Sequence, residues 1–188
     1  MPISLFEVLA RWGYSEILDG TQAANYDGPV IDALRDNRQQ GVDFDDLTPV
    51  ERYTLAFQCA NIRCALLTYF VGVEWFDLGN ISRFQLGHVL TPPNVWYPQS
   101  QGQIVPFHHY IGTASDDAND ARNVQAPPHG YAGPTDPLTL GYCNGHYVLL
   151  DGYHRAAALW LYGPHDGILP VYKPQVRQEL PQVGAPFV

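Results

Sequence analysis

The spacing of apolar residues predicts helices over residues 1–72 of the chain. Signals for helix starts and ends recur there at separations typical of short helices. Ser4 and Glu7 form a capping box before a short helix that Gly13 can end. A second helix is predicted from Pro29, because proline is favoured at the first position of a helix.

A third helix has the clearest start and end signals. Gly41 closes the preceding helix, and Thr48 with Glu51 then forms a capping box around a proline. Apolar residues follow at helical spacing until Gly72, and they occupy more than one face. This pattern predicts a long helix that is buried on several sides.

The pattern changes after Gly72. Ser82 and Gln85 form another capping box, which predicts a short helix. Residues 103–110 are rich in β-branched and aromatic residues and predict a strand. Residues 113–137 form a long polar segment, and such segments are typical of lids. We expect this segment to be a flap that becomes ordered over a bound ligand; a plain surface loop is the alternative.

A β-hairpin and a helix are predicted in the last third of the chain. Residues 138–143 and 146–150 are apolar runs joined by Asn-Gly at 144–145, the strongest short hairpin signal. A helix follows over residues 156–161, and Gly-Pro ends it. A final short strand is predicted over residues 168–172. Together these elements indicate an α+β protein.

The candidate chemistry lies in YVLLDGYHRAAALW, residues 147–160, where a strand leads through a glycine turn into a helix. The first N–H groups of such a helix converge where its dipole is positive, which favours anions. Arg155 can add a bidentate phosphate contact and His154 a second donor. Asp151 can cap the helix or hold a cation. The alternative is an ordinary capped helix with a solvated first turn.

Composition narrows the function classes. The chain has 188 residues, of which 46% are hydrophobic, 10 are Lys or Arg and 19 are Asp or Glu, giving a net charge of −9. Lys173 is the one lysine. Extensive nucleic-acid binding needs clustered cations, so this balance argues against it. A local anion pocket built from one or two arginines stays open.

Targeting and cysteine signals are few. The N-terminal residues lack a signal-peptide pattern, and no apolar run approaches the roughly 20 residues that span a bilayer. Three cysteines without a CxxC pair indicate neither a disulfide framework nor a zinc site. We therefore expect a cytoplasmic protein without membrane partners, unless an effector-type route exports it.

The run LLDGYHRAAA at residues 149–158, followed by LPV at residues 169–171, resembles the signature of the ParB/sulfiredoxin-like superfamily. The resemblance implies a ParB/sulfiredoxin-like domain with a small mixed sheet over residues 73–188, preceded by a helical extension over residues 1–72. It also implies a phosphate cradle for CTP, ATP or ADP. Its residues here would be Gly152, Tyr153, His154 and Arg155.

The branches of the superfamily differ at this motif. Sulfiredoxins have a nucleophilic cysteine where this chain has Tyr153, and without a thiolate their chemistry is not available. Partition proteins continue into DNA-binding and dimerisation segments, which the chain does not show. Free-serine kinases keep an Asp and a His, matched here by Asp151 and His154. These kinases also use a glutamate as base, for which Glu74 is the candidate.

The expected function is a nucleotide-dependent enzyme that transfers phosphoryl from ATP or ADP to a small hydroxylated acceptor. Asp151 would organise Mg²⁺ or the acceptor, and phosphoryl transfer needs mainly positioning and charge neutralisation. Two alternatives stay open. One is a non-catalytic nucleotide-binding switch or partner-binding module, and the other is a nuclease or toxin-like effector on the same fold.

Other polar and aromatic residues are weaker candidates. A strand over residues 103–110 would point adjacent histidines to opposite faces, so one of them at most could face a site. Asp side chains downstream could complete a metal or Mg-nucleotide site, and Trp-Tyr in a proline-rich loop could line a base pocket. The residues concerned are His108, His109, Asp116, Asp117, Asp120, Trp96, Tyr97, Arg122 and His129.

Overall fold

A mixed sheet of seven strands forms the centre of the fold. The computed structural model describes residues 2–19, 23–92, 104–108 and 137–176. Within them the strand order is β1-β2-β7-β5-β6-β3-β4; β5 pairs with β7 and β3 with β6 in parallel, and the other pairs are antiparallel. The strands are β1 Ile3–Ser4, β2 Trp75–Ser82, β3 Leu90–Thr91, β4 Val105–Pro106, β5 Leu138–Cys143, β6 His146–Asp151 and β7 Ile168–Pro174.

Helices cover both faces of this sheet. The α-helices are α1 Leu5–Asp19, α2 Pro29–Gln39, α3 Pro49–Ile62, α4 Arg83–His88 and α5 Tyr153–Tyr162. Short 3₁₀ helices span Ala23–Asn25, Phe44–Asp46 and Cys64–Phe70. The expected α+β class is confirmed.

Two hydrophobic clusters lie on opposite sides of β6. Val148 and Leu150 belong to the cluster formed with the N-terminal helices, and Leu149 belongs to the cluster formed with α4 and α5. Successive strand residues point to opposite faces, so one six-residue strand contributes to both clusters. The division of the chain after residue 72 stays a prediction, because the first cluster contains residues from both sides of it.

Local signals placed several elements correctly. Both halves of the capping box are formed between Thr48 and Glu51, and Ser82 and Gln85 form a second one. The Asn-Gly turn has φ angles of 49° and 86° at its two residues. Two positive φ angles are those of a type I′ turn, whose twist suits a two-residue hairpin.

Two predicted helix ends are wrong. α1 does not end at Gly13 but continues to Asp19. A Cβ at Gly13 would lie 3.1 Å from the Leu55 carbonyl oxygen, so this glycine lets α1 approach α3 closely. α3 ends at Ile62, and a 3₁₀ segment continues to Phe70, because Arg63 leaves α-helical backbone angles (φ −100°, ψ 19°).

The strand expected over residues 103–110 is mostly wrong in its described part. Its strand pairing is limited to Val105–Pro106, and Phe107 and His108 have helical backbone. The buried Phe107 donates its N–H to the Val89 carbonyl at 2.8 Å. The argument that His108 and its neighbour face opposite sides of a strand therefore does not apply. β2 was not predicted, because only Phe76 and Ile81 of its residues are buried, too few to show alternation.

Substitution of Gly141 tests the packing of β5 against the 3₁₀ segment Cys64–Phe70. A Cβ at this β5 residue would lie 2.6 Å from the Tyr69 Cβ and 2.9 Å from the Leu150 Cδ1. We expect Gly141→Ala to lower the free energy of unfolding by about 1–3 kcal/mol, the usual cost of overpacking a core. Urea unfolding measures it.

The matched control is Gly79→Ala in β2, where an added Cβ meets nothing within 4 Å. Its effect should stay within about 0.5 kcal/mol. Equal effects of the two substitutions would contradict the packing of the segment Cys64–Phe70 against β5.

Candidate functional site

The turn between β6 and α5 is very tight. β6 ends at Asp151, Gly152 has φ 90° and ψ 27°, and α5 begins at Tyr153. This left-handed conformation favours glycine. A Cβ at Gly152 would also lie 2.4 Å from the Leu138 Cδ2, so the turn excludes other residues for two reasons.

Arg155 and Asp151 form an ion pair across this turn. The Arg155 Nη2 donates to the Asp151 Oδ2 at 2.9 Å, and the two side chains are 15% and 21% exposed. The guanidinium folds back over the glycine, because its Nη2 lies 3.0 Å from the position of a Gly152 Cβ. The structure thus brings Asp151, Gly152 and Arg155 together, as the motif predicts, but the arginine is bound to the carboxylate.

Tyr153 and His154 occupy the first turn of α5 and are half-buried. The Tyr153 hydroxyl donates to the Leu149 carbonyl at 2.7 Å, and its ring packs against the cluster formed with α4 and α5. The Tyr153 side chain therefore anchors the helix to β6. Its predicted role in cofactor binding stays a prediction, which the backbone of the first turn would have to fulfil.

Glu74 is not brought to this motif. Its side chain is exposed, and its carbonyl accepts the Leu5 N–H at 3.1 Å. The register runs from Leu78 through β7 and β5 to Asp151. Three strand spacings and four further residues along β2 separate Glu74 from Asp151 by about 20 Å. The expectation that Glu74 serves as the base is corrected on this ground.

A buried polar cluster formed by Glu16 on α1, Arg63 just after α3, and Tyr26 was not predicted from the sequence. The Glu16 carboxylate, 6% exposed as a residue, accepts from the Arg63 guanidinium and from the Tyr26 hydroxyl at 3.0 Å. The Arg63 guanidinium also lies 5.3 Å from the Trp12 ring centroid. The sequence feature that could have indicated this cluster is Arg63, an arginine within a predicted helix of apolar residues in a chain with few cations.

Electrostatics link this cluster to the motif. Burial lowers the pKa of Arg63, but the hydrogen bond and charge of Glu16, with a further contribution from Asp151, raise that pKa above its ordinary value overall. Asp151 therefore interacts electrostatically with Arg63 as well as with its ion-pair partner Arg155. Burial also raises the pKa of Tyr26, and it raises the pKa of the Cys59 thiol to about 12.

The remaining candidates lie elsewhere or are not described. The His108 Nδ1 is hydrogen-bonded to the Gly87 carbonyl oxygen at 2.6 Å. Within the described ranges, no group of three His, Cys, Asp or Glu side chains could hold a metal ion. The expected flap, except for Pro137, lies outside the described residues. So do the weaker candidates Trp96, Tyr97, His109, Asp116, Asp117, Asp120, Arg122 and His129.

Comparisons of the chain with protein-family models, with curated proteins and with solved structures find no match. The resemblance of the DGYHR motif to the ParB/sulfiredoxin-like superfamily therefore stays a prediction. In the part of the chain that the structure describes, no helix has both the length and the apolar character needed to cross a membrane. The cytoplasmic location also stays a prediction.

Gly152→Ala tests the construction of the turn. We expect a loss of stability from two sources, the left-handed backbone, which costs about 1–2 kcal/mol, and the clash with Leu138. Gly41→Ala is the control, because Gly41 has φ 80° and no atom within 4 Å of an added Cβ. In urea unfolding, Gly152→Ala should cost about 1–3 kcal/mol more than the control, the usual cost of overpacking. Equal losses of unfolding free energy in the two variants would show that the Leu138 side chain moves aside without cost.

Cys59 provides a test of the buried cluster. In a Cys64→Ser, Cys143→Ser double variant, Cys59 is the one remaining thiol. The thiolate is the reactive form, and burial raises the pKa of Cys59 to about 12, so its thiolate fraction at pH 8 is very small. An aromatic disulfide reagent should react with it in urea and not in the native protein, as followed by absorbance. The control is the single variant Cys59→Ser, which keeps Cys64 and Cys143. If Cys59 in the native double variant reacted as fast as the thiols of this control, its burial would be contradicted.

Proposed function

We propose that this chain binds the phosphates of a nucleotide at the turn between β6 and α5, and transfers phosphoryl from ATP or ADP to a small hydroxylated acceptor. The observation that carries the proposal is the position of Arg155. Its guanidinium lies over Gly152 at the start of the ten-residue helix α5.

The helix and the arginine favour the same ligand charge. A helix N-terminus carries a partial positive charge, worth about 0.3–1 kcal/mol toward an exposed anion. A charge-assisted hydrogen bond from a guanidinium adds about 1.5–3 kcal/mol. His154 in the first helical turn supplies a further side-chain donor.

Binding would exchange the partner of Arg155. In the structure the Arg155 guanidinium donates to the Asp151 carboxylate at 2.9 Å. A phosphate can accept two hydrogen bonds from a guanidinium and carries more negative charge than a carboxylate, so Arg155 would turn from Asp151 to the ligand. The exchange releases Asp151 at the moment when a phosphate is present.

The released carboxylate would then serve the reaction. The acceptor oxygen forms a bond to phosphorus, the bond from phosphorus to the leaving nucleotide oxygen breaks, and the acceptor proton passes to Asp151. Mg²⁺ bound to the phosphates would neutralise their charge. Little further covalent chemistry is required of the protein.

The position of Glu74 favours a second candidate function. Among the described residues it leaves the motif without the predicted glutamate base, and the carboxylate of the motif, Asp151, is bound to Arg155. A nucleotide-binding switch without turnover needs the phosphate site alone. Nucleotide consumption under saturating Mg-nucleotide separates the two functions, and DNA cleavage without nucleotide binding would favour an effector nuclease instead.

Arg155→Gln tests phosphate binding. Calorimetric titration with ATP, ADP, CTP and GTP, with and without Mg²⁺, should show a ten- to hundredfold loss of affinity for the preferred nucleotide, as expected for one charge-assisted hydrogen bond of about 1.5–3 kcal/mol. The control is Arg38→Gln on α2, whose guanidinium lies 5.1 Å from the Tyr14 ring centroid. Unchanged affinity in Arg155→Gln, in protein that melts cooperatively, would refute the phosphate site.

Asp151→Asn tests the exchange itself. Removing the competing carboxylate should raise the affinity for ADP without Mg²⁺ several-fold, because Arg155 no longer has to leave an anion, and should abolish phosphoryl transfer. Asp32→Asn is the control, since Asp32 pairs with Arg35 on α2 at 2.9 Å. An Asp151→Asn protein that binds ADP as weakly as Arg155→Gln would contradict the exchange.

A further inference from the structure

A cavity lies at the opposite end of β6 from the turn. It has a volume of about 240 Å³, and its polar lining residues are Asn80, Gln85, His88, His146, Tyr147 and Lys173. β6 begins at His146 and ends at Asp151. Five residue steps of about 3.3 Å separate the cavity from the phosphate turn by roughly 17 Å.

Each polar lining side chain can donate a hydrogen bond. An ammonium donates three hydrogen bonds and accepts none, an imidazole offers an N–H in its neutral form and two when charged, and a side-chain amide offers two. No Asp or Glu is among the described residues that line the cavity, although the chain carries a net charge of −9. The described lining residues therefore favour an anion over a cation.

Lys173 supplies the permanent charge. Its Nζ lies 4.7 Å from the Tyr147 ring centroid, and the Tyr142 ring packs edge-on against Tyr147 at 5.4 Å. Among the described residues, its ammonium is paired with this ring and with no carboxylate. Asp77 lies opposite Lys173 in the β2–β7 register, and its Oδ1 accepts from the Gln175 Nε2 at 2.7 Å.

The rest of the wall is apolar. It is formed by Ile81, Val89, Leu140 and Val171. Pockets for drug-sized ligands occupy roughly 300–1,000 Å³, so a cavity of about 240 Å³ suits a smaller molecule. An apolar wall beside one permanently charged cation, Lys173, matches a short hydrocarbon that bears one negative charge.

We propose that this cavity binds a small organic monocarboxylate, with the carboxylate on Lys173 and the hydrocarbon against the apolar wall. The site is separate from the phosphate turn and does not depend on the function proposed for it. A monocarboxylate is favoured over a phosphate dianion, because Lys173 is the one side chain with a permanent charge among the described lining residues.

Calorimetry and NMR titration with hexanoate test the proposal, with hexanamide as the neutral analogue and butyl phosphate as the alternative anion. We expect hexanoate to bind, hexanamide to bind at least tenfold more weakly, and butyl phosphate to bind no better than hexanoate. Lys173→Met keeps most of the side-chain volume and should weaken hexanoate binding at least tenfold. Arg155→Gln should leave hexanoate binding unchanged, which separates this site from the phosphate turn.

Several results would overturn the proposal. They are no hexanoate binding at millimolar concentration, equal binding to Lys173→Met, and a preference for butyl phosphate. A loss of hexanoate binding in Arg155→Gln alone would place the ligand at the turn instead. Should Lys173→Met not fold, His146→Asn serves as the second variant, and it should weaken hexanoate binding severalfold; unchanged binding there would also count against the site.

Discussion

The burial of β6 on both faces is the constraint on which the candidate site depends. Val148 and Leu150 pack toward the N-terminal helices, while Leu149 packs toward α4 and α5. Burying each such side chain contributes about 1.5–3 kcal/mol. A shift by one residue would exchange these side chains between two close-packed clusters, each fitted to the present ones. The end of β6, and with it the tight turn at Gly152, is therefore fixed from two sides.

The arginines near this turn are paired with carboxylates of the protein. Most of the described arginines pair with carboxylates, and two of the pairs lie near the end of β6. Arg63 is held by Glu16 inside the helical cluster, where losing one partner would leave a buried charge. Arg155 pairs with Asp151 at a half-buried position and stands at a helix N-terminus. Of the two arginines, Arg155 is the one that can change partners at moderate cost.

The sequence predicted features that depend on near neighbours in the chain. The capping boxes, the hairpin and the strand-turn-helix with Gly152 are local, and the structure has them. Gly13 was misjudged because its role is a contact with α3, which no local pattern reveals. Glu74 was misjudged for the same reason, since its position relative to Asp151 follows from the order of four strands. The Arg155–Asp151 pair shows that a predicted donor can have a partner within the protein.

The proposed function depends on phosphate binding at the first turn of α5. Amide chemical shifts measured by NMR during titration with ADP, with and without Mg²⁺, test this binding. The largest changes should fall on residues 152–156, and the Arg155 side-chain signal should move with them. Shifts confined to other parts of the chain, with residues 152–156 unchanged at saturation, would contradict it.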